Sequence, residues 1–196
     1  MAGMFNDTSS LRSYLATRRS GKGRDMVTPG PDAAQLRDII GLALRTPDHG
    51  KLAPWRVVTV ADDQRDALAK LLKDEWVAEN PGAAGMDLSA FDQFAHQAPT
   101  LIVLISTPVQ DSKVPVWEQQ MSAGAVGMNL LHAAHAHGFV GSWLTGWAAY
   151  SPAVAKTFGA REGDTIVGYF FLGTAGADLS ERPRPEYDEV VSAWEI

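Results

Sequence analysis

The most informative segment of the sequence for the fold is WEQQMSAGAVGMNLLHAAHAHG, residues 117–138. It contains no proline, its only charged residue apart from histidines is Glu118, and Gly138 is the residue type that commonly ends a helix. A helix that is apolar around its whole circumference is buried, and small residues let neighbouring backbones approach closely. We therefore predict that 117–138 is a long, buried central helix.

Hydrophobic periodicity and capping residues predict the elements on either side of this helix. A 3.6-residue period behind capping residues predicts further helices at 9–20, 32–45, 63–76 and 151–159. Apolar runs predict strands at 55–60, 99–107, 139–146 and 164–175. Glycine, proline and other turn residues predict loops at 21–31 and 77–90. An extended tail is expected over about 176–196, because Pro183 and Pro185 oppose a helix.

The order of these elements predicts an α+β sandwich. A central mixed or antiparallel sheet of four or five strands would be flanked by helices and packed against the central helix. No GxGxxG motif follows a first strand, which argues against a Rossmann dinucleotide site. With 196 residues, the chain is expected to form a single domain over 1–196.

The composition excludes several classes of protein. A net charge of -6 argues against a nucleic-acid binder, which needs a basic face. The absence of cysteine rules out disulfides, thiol nucleophiles and cysteine metal clusters, and fits a reducing compartment. The first ten residues are polar, and no apolar run reaches the roughly 18 residues that a membrane span needs. We expect a cytoplasmic protein without a membrane or nucleic-acid partner.

Two short segments offer groups that suit a phosphorylated, planar ligand. Arg18, Arg19 and Ser20 lie where the first helix is predicted to end, and an arginine fork with a hydroxyl can bind phosphate oxygens. The alternative for this segment is a solvated basic helix end. Trp143 and Thr145, in GSWLTG, lie at a strand end where glycines would let a ligand approach backbone donors. The alternative there is a core tryptophan followed by a turn.

The loop RTPDHGKLAPW, residues 45–55, holds more polar chemistry than a plain turn requires. Arg45 and His49 lie four residues apart around Pro47, and Trp55 begins a strand that must turn inward. His49 is therefore expected at the edge of the core, where it could meet a ligand. The alternative is a surface turn with a solvated Lys51.

The histidines of the central helix raise the question of a metal site. His132 and His135 share one helix face, whereas His137 points elsewhere. No cysteine or acidic residue lies near them in sequence, so packed or hydrogen-bonded histidines are favoured and we expect no metal. A metal-dependent hydrolase and a non-enzymatic interaction module remain as rival interpretations, and a colourless protein would favour either.

Taken in order along the chain, these segments resemble one known family. The segments concerned are RRS, PDHGKLAPW, 114–146 and VGYFFLGT. They are similar to the FMN-dependent nitroreductases, most of all to the minimal YdjA-type NAD(P)H nitroreductases. The resemblance covers roughly residues 10–175. It implies an intertwined homodimer that carries FMN at the subunit interface.

The resemblance also implies which residues bind the cofactors. Arg18, Arg19 and Ser20 match the segment at the ribityl phosphate, and Arg45 and His49 match a segment donated by the partner chain, pointing donors at the flavin. Trp143, Leu144 and Thr145 match a third flavin segment. A stretch linked to the nicotinamide nucleotide corresponds to Ala133, Ala134, His135, Ala136, His137 and Gly138. Ala53 and Leu144 depart from the family, which often has Gln and Arg there, and both remove polar groups near the expected flavin.

The implied activity is a ping-pong, two-electron reduction of nitroaromatics, quinones or similar electron-poor acceptors by NAD(P)H. The chemistry would belong to the flavin, and no dedicated catalytic acid or base is expected. A branch of the same superfamily binds FMN without nitroreductase turnover, consuming the flavin or dehalogenating a substrate, and this is the alternative function. NAD(P)H oxidation with a panel of acceptors distinguishes the two.

Overall fold

A five-stranded antiparallel sheet and a helix of 21 residues form the centre of the fold. The computed structural model describes residues 5–83 and 85–195. The strands are β1 (Met26–Val27), β2 (Trp55–Val60), β3 (Thr100–Ser106), β4 (Val140–Leu144) and β5 (Thr165–Ala175). The helices are α1 (Leu11–Thr17), α2 (Ala33–Ala43), α3 (Arg65–Glu79), α4 (Ser89–His96), α5 (Val116–Ala136), α6 (Trp147–Tyr150), α7 (Pro152–Thr157) and α8 (Tyr187–Val190).

The sheet is organised around β5, which pairs with three other strands. β3 lies along one side of β5 and is itself paired with β2, while β4 and β1 share the other side. The register between β3 and β5 shifts by one residue after Leu104. Leu104 faces Gly168, but the next residue, Ile105, faces Ile166. Val167 is therefore an extra residue in β5, a β-bulge that leaves it without a partner residue on β3.

Both faces of the sheet are covered, as the apolar run of β3 predicts. Phe170 and Leu172 of β5 join the main hydrophobic cluster with α2 and α5, through residues such as Ile39 and Leu130. On the opposite face, the ring of Phe94 in α4 contacts Tyr169 and Phe171 edge to face. This layering confirms the predicted α+β sandwich, with helices on either side of an antiparallel sheet and with α5 buried mainly in its C-terminal half, from Val126 to His135.

The chain groups into two units, which we describe separately. The larger unit is Ser20–Ala177 and contains the sheet and the helices α2 to α7. The smaller unit contains α1 and the C-terminal segment from Asp178 onward. Single-domain organisation over 1–196 stays a prediction. None of the helices in the described ranges has the length and apolar character needed to cross a bilayer.

The structure corrects four details of the predicted elements. The segment 77–90 is not simply a loop, because α3 continues to Glu79, a short 3-10 turn follows, and α4 begins at Ser89. The spacing of Phe91, Phe94 and Ala95 was the signal for α4. The loop 21–31 contains β1, whose two residues are too few to show a period. The first helix ends at Thr17, and the tail contains the four-residue helix α8 instead of being extended throughout.

Candidate functional site

The loop that precedes β2 has an unusual backbone. Gly50, Lys51 and Ala53 adopt positive φ angles of 82°, 56° and 46°. A residue with a side chain loses about 1–2 kcal/mol in this left-handed region, so Lys51 and Ala53 are held there by their surroundings. One restraint is local, since the backbone N–H of Ala53 donates to the carboxylate of Asp48 at 2.6 Å.

Three side chains on one face of α5 hold the same loop from below. They are spaced i, i+4 and i+11 along the helix, which places them on a common face. Their contacts are Glu118 Oε2 to His49 Nδ1 at 2.8 Å, Ser122 Oγ to the carbonyl of Pro47 at 2.6 Å, and Asn129 Nδ2 to Thr46 Oγ1 at 2.8 Å. The loop is thus fixed along α5 from Glu118 in its first turn to Asn129, past the midpoint of the helix.

This fixed loop presents two of the predicted flavin ligands to the surface. Thr46 is buried, whereas the Arg45 side chain beside it is exposed. The His49 side chain is 69% exposed although Nδ1 contacts Glu118. Arg45 and His49 therefore remain accessible to a ligand or a second chain.

Trp143, at the end of β4, is committed to the core. Its indole Nε1–H donates to the carbonyl of Val167 at 3.0 Å, and its ring lies 5.1 Å from that of Phe170. The bulge in β5 explains this bond, because Val167 has no partner residue on β3. The indole is thus packed in the core, as the alternative interpretation of GSWLTG predicted, and its N–H donates to the backbone of β5.

The residues after Trp143 form an open strand end. Leu144 is half-buried, Thr145 is exposed, and Gly146 has a φ of 105°. No atom lies within 4 Å of the position that a Cβ on Gly146 would take, so the space beside this turn is open. A planar ligand could approach the backbone there.

The turn is anchored by the helix that follows it. Glu79 accepts hydrogen bonds from the indole of Trp147 at 2.7 Å and from the hydroxyl of Ser151 at 2.5 Å. The hydroxyl of Tyr169 donates to the carbonyl of Ala148 at 3.1 Å, and burial raises the pKa of Tyr169 above its ordinary range. The end of β4 is therefore held in place by hydrogen bonds that Glu79 of α3 and Tyr169 of β5 make with the residues after it.

The three residues expected at a phosphate have different surroundings. Arg18 is the C-cap of α1 and is half-buried. The guanidinium of Arg19 donates to the carbonyl of Ser180 at 2.6 Å and lies 4.0 Å from Glu181, so it is engaged with the C-terminal segment. Ser20 precedes Gly21, whose N–H donates to the carbonyl of Gly141 in β4 at 3.1 Å. Ser20 is thereby fixed beside β4.

The segment predicted to bind the nicotinamide nucleotide lies largely in the interior. Ala133, Ala134 and His135 are 5%, 0% and 2% exposed, so their side chains meet the core. Only Ala136 and Gly138 are exposed, while Nε2 of the partly buried His137 contacts Asp38 at 2.9 Å. Any ligand reached by this segment would meet its last three residues.

The histidines of α5 do not form a metal site in the part of the chain that the structure describes. Within residues 5–83 and 85–195, no group of three or more His, Asp or Glu side chains is placed to hold a metal ion.

Within one chain, Ser20 and His49 lie beside opposite ends of α5, whereas Arg45 precedes Thr46, which Asn129 contacts in the C-terminal half of the helix. A Cβ on Gly141 would meet Leu131, which places Ser20 and Gly21 beside the C-terminal half of the helix. His49 contacts Glu118 at the N-terminal end. Thirteen residues of helix separate Glu118 from Leu131, or about 20 Å along the axis. Ser20 and His49 of the same chain therefore do not converge on one point.

Sequence reasoning missed the residues that hold the loops of the site. Glu118, Ser122 and Asn129 fix the 46–49 segment, and Gln119, 2% exposed, bonds to the backbone of Val109 and Val114. The available signal was the polar residues in a helix that is otherwise apolar. A buried helix keeps such residues where they satisfy hydrogen-bonding groups of packed loops.

Comparison with known proteins identifies the family of the chain. A model of the nitroreductase family matches residues 15–174. The Escherichia coli K12 protein named "Putative NAD(P)H nitroreductase YdjA" is 36% identical over 163 residues, 82% of this chain and 85% of that protein.

Solved structures share the fold. A nitroreductase-like family protein from Bacillus cereus has a TM-score of 0.79 at 20% identity, over 95% of this chain and 97% of that one. The FMN and NADPH-dependent nitroreductase NfnB from sphigopyxis sp. strain HMH has a TM-score of 0.72 at 20% identity, over 95% and 100%.

The fold is that of a nitroreductase-type α+β protein. The sequence match goes further: the chain belongs to the nitroreductase family. It is accordingly an enzyme of the oxidoreductase class, as the family resemblance implied.

Proposed function

We propose that this protein is an FMN-dependent NAD(P)H oxidoreductase that acts as a homodimer, with each flavin bound between two chains. It would reduce nitroaromatics, quinones or similar electron-poor acceptors by two electrons in a ping-pong cycle. The observation that carries the proposal is the separation of Ser20 from His49 along α5, within a chain of the nitroreductase family. Two copies would let the two ends contribute to one site.

A second observation supports the pairing of two chains. Trp117 and Met121 lie one turn apart on α5 and are 67% and 54% exposed. Exposed apolar patches of this kind are typical of protein interfaces. His49 contacts Glu118, which lies next to Trp117 in the first turn of α5, so a partner docked on this patch would lie close to His49.

The donor set of the chain fits FMN. The guanidinium of Arg18 and the hydroxyl of Ser20 suit a phosphate group. Arg19, which lies between them in sequence, instead donates to the carbonyl of Ser180. The open backbone at Leu144, Thr145 and Gly146 suits the edge of a planar ring. Arg45 and His49 of the other chain would close the site from its second side.

The bound flavin would supply the redox chemistry, and the residues of this chain would bind and orient. Relatives and fold neighbours named as NAD(P)H or NADPH enzymes support a nicotinamide nucleotide as the electron donor. Of the segment 133–138, Ala136 and Gly138 are exposed and His137 is partly buried, so these three residues would touch it. Ala53 and Leu144 would make the surroundings of the flavin less polar than the Gln and Arg that the family often has there, which would favour apolar acceptors.

The first test is the cofactor itself. The purified protein should be yellow and should release close to one FMN per chain on denaturation. Arg18→Ala should weaken FMN binding by about 10- to 150-fold, the loss expected for one charge-assisted hydrogen bond. Arg12→Ala is the matched control, since Arg12 is an exposed arginine of the same helix. A colourless protein that does not take up added FMN refutes the proposal.

The second test is complementation between two inactive variants. Arg18→Ala and His49→Glu are co-refolded into mixed dimers after circular dichroism has shown that each is folded. If a site takes Arg18 from one chain and His49 from the other, one site of the mixed dimer carries both lesions and the other carries none. Up to half of the wild-type NAD(P)H oxidation should return. Mixed dimers that form but stay inactive contradict the shared site.

A further inference from the structure

The contact between His49 and Glu118 joins the loop to the start of the central helix. His49 Nδ1 lies 2.8 Å from Glu118 Oε2, across 69 positions of sequence. Glu118 is the acidic residue of the first turn of α5, where the helix dipole favours a negative charge. The carboxylate is 39% exposed and the imidazole 69%, so the pair lies at the surface of the chain, where a ligand can reach it.

The chemistry of this contact decides how the imidazole can bond. A carboxylate accepts hydrogen bonds and donates none. A neutral His49 must therefore carry its proton on Nδ1 to satisfy the 2.8 Å contact. Nε2, on the far side of the ring, is left with a lone pair, so the neutral side chain presents an acceptor outward. In its neutral form, His49 would thus offer an acceptor where the sequence led us to expect a donor.

The other two contacts of the loop separate this effect from simple loop anchoring. Ser122 bonds to the carbonyl of Pro47, and Asn129 bonds to the hydroxyl of Thr46. Both hold the loop at positions that precede His49, and neither touches the imidazole. Loss of Glu118 would free the ring while the backbone kept two of its restraints.

We propose that Glu118 is a positioning residue that fixes the orientation and the Nδ1–H tautomer of His49, so that Nε2 accepts a hydrogen bond from an N–H or hydroxyl of the flavin. This inference rests on the proposed function, because it takes His49 as a ligand of FMN. Glu118 acts only through His49. Its effect on FMN binding must therefore vanish when the imidazole is absent.

The tautomer is measured first, in the protein without added ligand. Nitrogen-15 NMR of the imidazole, at alkaline pH where a free imidazole is neutral, should show Nδ1–H in the wild type. Glu118→Gln should give a mixture of tautomers, since an amide can both accept and donate. Ser122→Ala, the matched control, should keep the wild-type tautomer. An unchanged tautomer in Glu118→Gln overturns the inference.

FMN affinity, measured by quenching of flavin fluorescence, is the second readout. Glu118→Gln should bind FMN about 3- to 10-fold more weakly, the effect of one misaligned hydrogen bond. In a His49→Ala background the same substitution should change the affinity by less than about twofold. An equal loss in both backgrounds shows a structural role and overturns the inference. Glu118→Asp replaces Glu118→Gln if circular dichroism shows that the latter is unfolded.

The outcomes distinguish the two levels of the argument. If the wild type holds the Nδ1–H tautomer but binds no FMN, the proposed function fails. If FMN binds with full affinity to Glu118→Gln, the proposed function stands and the positioning role of Glu118 is wrong.

Discussion

Gly168→Ala is expected to be the most damaging small substitution beside the proposed site. A Cβ at this position in β5 would overlap Nε1 and Cδ1 of Trp143 and lie 3.0 Å from the carbonyl oxygen of Leu144. The indole cannot simply withdraw. It packs on Phe170, and its far edge lies against Gly127 of α5, where an added Cβ would already be 3.2 Å from it.

The magnitude follows from these contacts. Overpacking of a filled core costs about 1–3 kcal/mol. Displacement of the indole also breaks its hydrogen bond to Val167, worth about 1 kcal/mol. The free energy of unfolding should fall by about 2–4 kcal/mol in total, which for a chain of this size lowers the melting temperature by roughly 5–15 °C. Because Leu144 and Thr145 follow Trp143 directly, FMN binding should weaken as well.

Thermal unfolding followed by circular dichroism, at one fixed protein concentration, measures the effect. Gly41→Ala is the matched control, because its added Cβ, in the last turn of α2, would meet no atom within 4 Å beyond its own stretch of helix. It should gain about 0.5–1 kcal/mol from helix propensity. Equal melting temperatures for Gly168→Ala and the wild type would refute the account of how Trp143 is packed.

Three further outcomes are expected. Gln119→Leu removes three hydrogen bonds to the backbone of the 109–114 loop and should lower the free energy of unfolding in urea by about 1–3 kcal/mol; an unchanged midpoint would contradict this. Met121→Arg charges the exposed apolar patch of α5 and should yield monomers in sedimentation, whereas intact dimers would place the interface elsewhere. Burial raises the pKa of Tyr14 from 10.0 to about 12, so its stabilising effect is complete below pH 10 and lost as the pH rises towards 12. Tyr14→Phe should therefore resist alkaline unfolding better than the wild type, and a lower resistance would contradict the burial effect.

Local sequence patterns sufficed for the larger elements. The uncharged run of α5 and the apolar run of β3 identified the buried helix and a strand covered on both faces, and both are found. Elements of two to four residues, such as β1 and α8, escaped prediction because they are shorter than any period that could reveal them. Their existence depends on what they pair with or pack against.

The order of the segments RRS, PDHGKLAPW and GSWLTG was enough to predict the family, which the matched relatives confirm. The roles of the individual residues in those segments were harder to predict. Trp143 was matched to a flavin-binding segment, and its role there stays a prediction, but its indole N–H donates to the carbonyl of Val167. That bond depends on a bulge in β5, a different strand, and no residue near Trp143 in the sequence indicates that bulge.

Local patterns were therefore enough to identify the long helix, the doubly covered strand and the family. The contact of Glu118 with His49, the position of Ser20 beside β4 and the separation of about 20 Å between these two places along α5 emerged from the folded chain alone. The difference lies in the distance along the chain over which each interaction acts. Periodicity and capping act within a few residues, whereas a contact across 69 positions is set by how a helix packs on a sheet and which loops that packing brings against it.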